Sequence, residues 1–263
     1  MDDTIISRKK PIYPIGEHLM RYLKHYGRMV VCHVQYKDLL HFRNSFPVYD
    51  RFGKDTLWES VSYSQEDMEH LNKTLTGMYA LLKTGGDMSV MEHLYVERVD
   101  YCTFGNSKPF RVKIVNNYND NFDYYYIKQA DASRIYGLEL EHILSPNRIS
   151  YFVHKETLVE EHIAGIPGDM FMKSYLDRIE MNPIRLAKEF VKFNERCFVR
   201  LLGDMRAYNY VVDITPDFED VHYRIRAIDF DQQSFEGKRT LYMPQYFKDN
   251  NPIVELCIKH MTP

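Results

Sequence analysis

The sequence predicts an α+β protein in two parts, in which an antiparallel sheet with one helix precedes a smaller, mainly helical part. Three observations predict this class. Short alternating strands separated by turn residues run from Leu94 to His162. Gly165 and Gly168 then indicate a linker. Helical periodicity returns after the linker and gives way to a second pair of short apolar strands.

The composition restricts the classes of function. The 263 residues suffice for one large domain or two parts. The net charge of −3 provides no general attraction to nucleic acid or to an anionic membrane, so neither is an expected partner. The 4 cysteines form no C-x-x-C pair, which favours a reduced protein over a zinc or dithiol site. Without an apolar run of membrane-spanning length or a signal-peptide pattern, we expect a cytoplasmic protein.

Residues 1–93 are expected to form an amino-terminal, mostly helical extension. Ile15–Tyr26 carries apolar residues at helical spacing, with Leu19 and Leu23 among them. A second helix is expected to begin after Ser64, which is a suitable N-cap, and to end at the glycine pair 85–86. No residue of this extension indicates a particular chemistry.

Residues 94–164 are expected to form a five-stranded antiparallel sheet with one helix. The helix is predicted over Asp131–Leu144, between the third and fourth strands. The strands are predicted at Leu94–Thr103, Phe110–Val115, Asp123–Gln129, Ile149–Lys155 and Thr157–His162.

Residues 165–263 are expected to form the second part. Helices are predicted over Met170–Ile179 and Pro183–Cys197, and Asn182 is a suitable N-cap for the second of them because Pro183 fits the first helical turn. A hairpin of two short strands, Asn209–Val212 and Ile225–Ile228, follows.

Four polar side chains border this hairpin. Asp204 and Asn209 precede or open its first strand, and Asp229 and Asp231 follow its second strand. An antiparallel hairpin returns the chain to its starting point, so we expect these four residues to converge. Clustered carboxylates repel one another unless a divalent cation or a cationic side chain lies among them.

Two motifs in this region, GDMRAYN at 203–209 and IDFD at 228–231, resemble a known family. In order and spacing they are similar to the G-D-x-x-x-x-N and I-D-[FW]-[DE] motifs of protein-kinase-like proteins, closest to the aminoglycoside and choline phosphotransferase branch. The resemblance covers about residues 94–235 and implies a two-lobed kinase-like fold with a reduced second lobe.

The resemblance implies a role for each polar residue of these motifs. Asp204 would accept or orient the proton of an attacking hydroxyl, and Arg206 would face the transferred phosphoryl group. Asn209 and Asp229 would hold Mg²⁺ against the phosphates of ATP, and Asp231 would be a further acidic ligand.

Upstream residues match the nucleotide-binding part of the same family. Lys128 on the third strand would contact the phosphates, with Glu139 or Glu141 of the helix as its partner; the pattern does not distinguish between these two. Glu161 and Ile163 would offer backbone groups to adenine. The turn FGNSKP at 104–109 would cover the phosphates, although it has one glycine where the family has three.

The sequence also departs from the family pattern. Leu202 stands where the family usually has a histidine, so we expect packing to anchor the loop instead. The short chain after IDFD leaves little room for the helices that support a protein substrate, which favours a small-molecule acceptor over a protein.

The resulting expectation is an ATP- and Mg²⁺-dependent phosphotransferase acting on a hydroxyl or amine of a small molecule. Two alternatives stay open. One is a pseudokinase, a nucleotide-binding regulatory module without phosphotransfer, which the degenerate glycine turn and the missing histidine favour. The other is nucleotidyl transfer by the same metal-binding residues.

Overall fold

The computed structural model describes residues 10–50, 52–104, 107–216, 221–235 and 237–261. The chain divides into two compact units. The first comprises the residues up to Ala132 together with Ile149–His162, and the second comprises Ser133–Arg148 and the residues from Ile163 onward. No helix in the described ranges combines the length and apolar character needed to cross a membrane.

The first unit is built on a seven-stranded sheet in the order β1-β2-β3-β4-β5-β7-β6, with every neighbouring pair antiparallel. Its strands are β1 (Asn44–Tyr49), β2 (Asp55–Ser62), β3 (Leu94–Cys102), β4 (Phe110–Asn116), β5 (Phe122–Gln129), β6 (Tyr151–His154) and β7 (Thr157–Glu161). Its helices are α1 (Glu17–His25), α2 (Tyr36–Leu39) and α3 (Gln65–Thr84).

The core of the first unit lies between α3 and the sheet. Leu71, Leu75, Met78 and Leu82 repeat at helical spacing on α3 and are buried in one apolar cluster with residues of β3, β4 and β5. The ends of α3 are those that the sequence predicts. The Ser64 hydroxyl accepts a hydrogen bond from the Asp67 backbone N–H, and Gly85 adopts the left-handed conformation with φ 66°.

The prediction of five strands in this sheet is wrong. The sheet has seven, and the two additional strands, β1 and β2, lie within residues 1–93, which were expected to be mostly helical. β1 and β2 pair with each other, and β2 pairs with β3. Pro47 lies within β1, which is an edge strand of the sheet, the kind of strand in which proline is tolerated. A proline weakens the sequence pattern of a strand, so β1 is difficult to predict from the sequence.

The second unit contains α4 (Ala132–Leu144), whose first residue ends the first unit, and a three-stranded sheet in the order β10-β9-β8. The strands are β8 (Ile166–Pro167), β9 (Tyr210–Pro216) and β10 (Val221–Ala227), and the other helices are α5 (Gly168–Ser174), α6 (Pro183–Arg200) and α7 (Asn251–Met261). α6 buries Leu186, Phe190, Phe193 and Cys197 on one face.

The predicted start of α6 and the predicted hairpin are both confirmed. The Asn182 side chain accepts a hydrogen bond from the Arg185 N–H, and Pro183 occupies the first helical turn. β9 and β10 pair antiparallel from Tyr210–Ala227 to Pro216–Val221. The connecting loop, residues 217–220, lies outside the described residues.

The division of the chain differs from the expected boundary near residue 164. The helix α4 was expected to belong with the sheet strands that flank it in sequence, whereas residues 133–148 are grouped with the second unit. The side chains of α4 that contact the second unit are described below, and they account for this grouping.

Candidate functional site

The two motifs of the second unit are joined by backbone hydrogen bonds. Leu202 forms an isolated antiparallel bridge with Gln233, and the Gly203 N–H donates to the Gln232 carbonyl at 3.3 Å. The Ser234 N–H donates to the Leu201 carbonyl at 2.8 Å. The loop that carries Asp204 therefore lies directly beside the segment that follows Asp229 and Asp231.

Leu202 anchors the loop by burial, as the sequence suggests for this position. Its side chain is 1% exposed. A histidine could hold a loop through its ring nitrogens, whereas leucine contributes only apolar packing and its own backbone groups. Here packing and the bridge to Gln233 act together.

A buried asparagine that the sequence analysis missed holds the same loop from the other side. The Asn250 side-chain amide donates to the carbonyls of Met205 at 3.0 Å and Pro244 at 2.8 Å, and its oxygen accepts from the Tyr210 hydroxyl at 2.9 Å. Asn250 is fully buried. No motif surrounds it in the sequence, so only the fold shows its role.

Asp204 lies in the left-handed region of backbone conformation, with φ 57°. Its N–H donates to the Leu241 carbonyl, and its carbonyl accepts from the Arg206 N–H at 2.8 Å. A non-glycine residue with positive φ is uncommon, and such strain is often found where a side chain must be held in a fixed direction.

One oxygen of the Asp204 carboxylate accepts a hydrogen bond. Oδ1 accepts from Nε of Arg206 at 3.0 Å, and the Arg206 guanidinium also lies 5.2 Å from the ring centroid of Phe247. Within the part of the chain that the structure describes, Oδ2 accepts no hydrogen bond. One oxygen of the carboxylate is thus available to a ligand.

The pKa of Asp204 is raised to about 6. Burial is the main cause, because it disfavours the charged carboxylate, and the negative charges of Asp229 and Asp249 act in the same direction. Arg206 opposes this rise by its charge and its hydrogen bond. A carboxylate with a pKa near 6 is mostly ionised at pH 7 yet basic enough to accept a proton.

Asn209 joins the two ends of the hairpin. Its side-chain Nδ2 donates to the Asp204 carbonyl at 2.7 Å, and its backbone carbonyl accepts from the Ile228 N–H at 3.0 Å. The predicted convergence of Asp204, Asn209 and the residues after β10 is therefore confirmed. Because the amide nitrogen must face the Asp204 carbonyl, the amide oxygen is directed away from it.

Asp229 and Asp231 share a cationic partner, Arg134, which the sequence analysis missed. Arg134 Nη1 lies 3.0 Å from Oδ1 of Asp229 and 2.7 Å from Oδ1 of Asp231. The Asp231 N–H also donates to Oδ1 of Asp229 at 3.0 Å. Arg134 is 1% exposed on α4, so the acids face a fully buried guanidinium.

The side chains of Asn209, Asp229 and Asp231 carry hard oxygen atoms, which are the ligand type that Mg²⁺ prefers. Among the described residues, no group of three or more His, Cys, Asp or Glu side chains could hold a metal ion. Mg²⁺ is usually bound by one or two carboxylates together with water and substrate phosphates, so no such group is required.

Lys128 belongs to the first unit, whereas its expected partners Glu139 and Glu141 belong to the second. In the first unit, Lys128 Nζ lies 2.9 Å from Glu160 on the neighbouring strand, and both side chains are buried. In the second unit, Glu141 forms a buried ion pair with Arg200, and Glu139 is also buried. The contacts of Lys128 and Glu141 therefore differ from the expected pair.

The segment expected to contact adenine is partly engaged in the sheet. The Glu161 N–H donates to the Ser150 carbonyl at 3.0 Å, and its side chain accepts from the Ser150 N–H at 2.8 Å. Ile163 is buried in the second unit. Two residues of the turn FGNSKP, numbers 105 and 106, lie outside the described residues.

The first unit also has a cavity of about 860 Å³ that involves none of these residues. Ile12, Met20 and Val31 provide apolar lining, and Lys24 and Lys155 lie among the polar residues. None of the predicted site residues lines this cavity.

Comparison of the sequence with protein-family models gave no match, and comparison with curated proteins gave none either.

Proposed function

We propose that this protein is an ATP- and Mg²⁺-dependent phosphotransferase whose acceptor is a hydroxyl or amine of a small molecule. The observation that carries the proposal is the convergence of Asp204, Asn209 and Asp229. The Asn209 side chain bonds to the Asp204 carbonyl, and the Asn209 carbonyl accepts from Ile228, next to Asp229. The three residues therefore lie close together, and they follow one another along the chain in the order of the family motifs.

The phosphotransfer step needs little covalent chemistry from the protein. The acceptor oxygen or nitrogen attacks the γ-phosphorus, the bond between that phosphorus and the β–γ bridging oxygen breaks, and ADP leaves with the electron pair. Oδ2 of Asp204 would take the acceptor proton, because Oδ1 is held by Arg206. Mg²⁺, when bound, would neutralise charge on the phosphates, and Asn209, Asp229 and Asp231 would hold it.

Arg206 supports the step through charge. Its guanidinium lies beside Asp204, is held near Phe247, and remains partly exposed. A cation in this position would stabilise negative charge that develops on the transferred group. The roles of Lys128, Glu139, Glu141, Glu161 and Ile163 stay predictions that rest on the family resemblance.

Two measurements test this proposal. Thermal unfolding with ATP and Mg²⁺ should give a higher midpoint than with either alone, because a ligand that binds only the folded state stabilises it. ADP release in the presence of small alcohols, amino sugars and amino alcohols should then depend on the acceptor. Asp204→Asn should abolish acceptor-dependent ADP release, whereas Asp177→Asn, at an exposed position, should not.

The absence of any Mg²⁺-dependent shift in the unfolding midpoint would refute nucleotide binding. An equal rate of ADP release by the wild-type protein and Asp204→Asn would refute Asp204 as the base.

A second candidate function is a nucleotide-binding regulatory module without phosphotransfer. The observation that favours it is the contact of Arg134 with both Asp229 and Asp231, since a guanidinium already balances part of their charge. The ADP-release assay distinguishes the two candidates, because the regulatory module would show the thermal shift without acceptor-dependent turnover.

A further inference from the structure

The helix α4 contacts residues 229–233, here called the acidic segment, through one face. Ser133 Oγ donates to the Gln233 carbonyl at 2.5 Å, and Arg134 binds Asp229 and Asp231. Gly137, one turn further on, lies so close to this segment that a Cβ atom there would be 3.1 Å from Phe230 and 3.2 Å from the Gln233 side chain. The small residue lets the helix approach the segment between the two acids.

A second ion pair fixes the far end of the same helix. Glu141 pairs with Arg200 at the end of α6, and both side chains are 3% exposed. Gln233 Nε2 donates to the Arg200 carbonyl at 2.5 Å, which connects this ion pair to the acidic segment. The contacts at residues 133, 134, 137 and 141 are spaced at the helical repeat, so one face of α4 packs against the rest of the second unit.

Two acids share one arginine in this cluster. Asp229 and Asp231 carry two negative charges when ionised, and the guanidinium of Arg134 brings one positive charge within 3.0 Å of both. A fully buried arginine is rare without paired acids, since an unpaired charge in a protein interior is costly. The acids and the arginine therefore stabilise one another.

We propose that Arg134 is a resident counter-cation of the metal site, which holds Asp229 and Asp231 together and keeps their affinity for free divalent cations low. The inference rests on the proposed function for the identity of the ligand, a Mg²⁺–nucleotide complex. Because the positive charge of Arg134 lies within 3.0 Å of both carboxylates, it opposes the binding of a free divalent cation there. The phosphates of the nucleotide then supply the further negative charge that completes metal binding.

The test measures divalent-cation binding in the absence of nucleotide, with Mn²⁺ followed by electron paramagnetic resonance. Arg134→Gln removes the positive charge and should bind Mn²⁺ at least tenfold more tightly than the wild-type protein. Its unfolding midpoint should fall in EDTA and recover when Mn²⁺ is added. The wild-type midpoint should be the same in EDTA and in Mn²⁺. Arg224→Gln, which removes an exposed arginine from β10, should behave as the wild-type protein does.

Two further variants keep the test decisive if Arg134→Gln does not fold. Arg134→Lys retains the charge and should bind Mn²⁺ within threefold of the wild-type protein. Asp231→Asn leaves Asp229 opposite the full charge of Arg134 and should reduce Mn²⁺ binding at least tenfold. The proposal is overturned if Arg134→Gln, when folded, binds Mn²⁺ no more tightly than the wild-type protein, or if Asp231→Asn leaves Mn²⁺ binding unchanged.

These measurements are made without nucleotide, so they test the counter-cation inference independently of the proposed phosphotransferase function. If Arg134→Gln gains Mn²⁺ affinity while ATP fails to bind the wild-type protein, the counter-cation inference stands and the proposed function fails. If ATP turnover is found while Arg134→Gln gains no affinity, the proposed function stands and Arg134 only crosslinks α4 to the acidic segment.

Discussion

The side-chain amide of Asn209 donates a hydrogen bond to the backbone carbonyl of Asp204 at 2.7 Å. The amide thereby fixes the loop between the two residues and directs its own oxygen away from that carbonyl. In the proposed function the amide oxygen of this side chain would bind Mg²⁺ while its nitrogen supports the loop, so the side chain would link stability to function. Substitution at this position should therefore affect both.

The first prediction concerns Asn209→Ala. It should reduce the free energy of unfolding by about 0.5–1.5 kcal/mol, because the Asp204 carbonyl loses one of its two hydrogen-bond donors and keeps the Arg206 N–H. It should also remove the Mg²⁺-dependent part of any stabilisation by ATP. Urea unfolding with and without ATP and Mg²⁺ measures both effects.

Asn251→Ala is the matched control, since Asn251 is exposed at the start of α7. It should change the free energy of unfolding by less than about 0.5 kcal/mol. An Asn209→Ala protein with wild-type stability and an unchanged response to Mg²⁺–ATP would contradict the assignment.

The second prediction concerns the pH dependence of stability at Asp204, whose pKa is raised to about 6 by burial. The folded protein keeps this proton to higher pH than the unfolded chain does, so ionisation destabilises the folded state as pH rises from about 4 to 6. Asp204→Asn should be more stable than the wild-type protein at pH 8, by about 2 kcal/mol, and the difference should vanish near pH 4.

Urea midpoints between pH 4 and pH 8 measure this difference. Asp177→Asn, at an exposed position, should show no such pH-dependent gain. A variant Asp204→Asn that is less stable than the wild-type protein at pH 8 would mean that the bond from Arg206 outweighs the desolvation of the carboxylate.

The third prediction concerns the buried pair Lys128–Glu160, 2.9 Å apart in the first unit. Lys128→Met should destabilise the protein by about 1–4 kcal/mol, because it takes away the ammonium group that faces a buried carboxylate. The double variant Lys128→Met with Glu160→Met should recover much of this loss, since both charges are then removed. Thermal and urea unfolding measure the two variants side by side.

Lys113→Met is the control, because Lys113 pairs with Glu97, whose side chain is 42% exposed. Exposed pairs contribute at most about 1 kcal/mol. If Lys113→Met destabilised the protein more than Lys128→Met, burial would not be what determines the strength of these pairs.

The fourth prediction concerns Gly168, the first residue of α5. A Cβ atom at this position would lie 2.3 Å from the Tyr210 ring and 2.5 Å from the Ala207 carbonyl, closer than atoms approach in folded proteins. Gly168→Ala should therefore destabilise the protein by more than about 2 kcal/mol, because the loop of Ala207 must shift.

Gly16→Ala is the control, since no atom lies within 4 Å of the Cβ it would add. It should leave the urea midpoint nearly unchanged. Equal midpoints for Gly168→Ala and Gly16→Ala would show that the loop after Asp204 adjusts without strain.

The sequence predicted those features that depend on nearby residues. The hairpin and the convergence around Asn209 follow from two short strands and the return of the chain between them. The caps at Ser64 and Asn182 follow from side chains that bond to backbone groups three residues away. These interactions are local, so their patterns are visible in the sequence.

Long-range pairs were not predictable in the same way. Arg134 lies 95 residues before Asp229 along the chain, and no neighbouring pattern marks it as their partner. Lys128 meets Glu160 because Lys128 is paired with Leu158 across the sheet, which places Glu160 two residues further along on the same face. Such a partner is fixed by strand register, and a single sequence does not show it.

The division of the chain has a consequence for how this protein can be cut or expressed. The chain passes from one unit to the other between residues 132 and 133, between 148 and 149, and between 162 and 163. A recombinant fragment beginning at Ile163 would contain Asp204 and Asp229 but would lack Arg134 and Glu141. During synthesis α4 leaves the ribosome before its partners Arg200, Asp229, Asp231 and Gln233 have been made, so this helix completes its contacts only after the chain has been synthesised to Gln233.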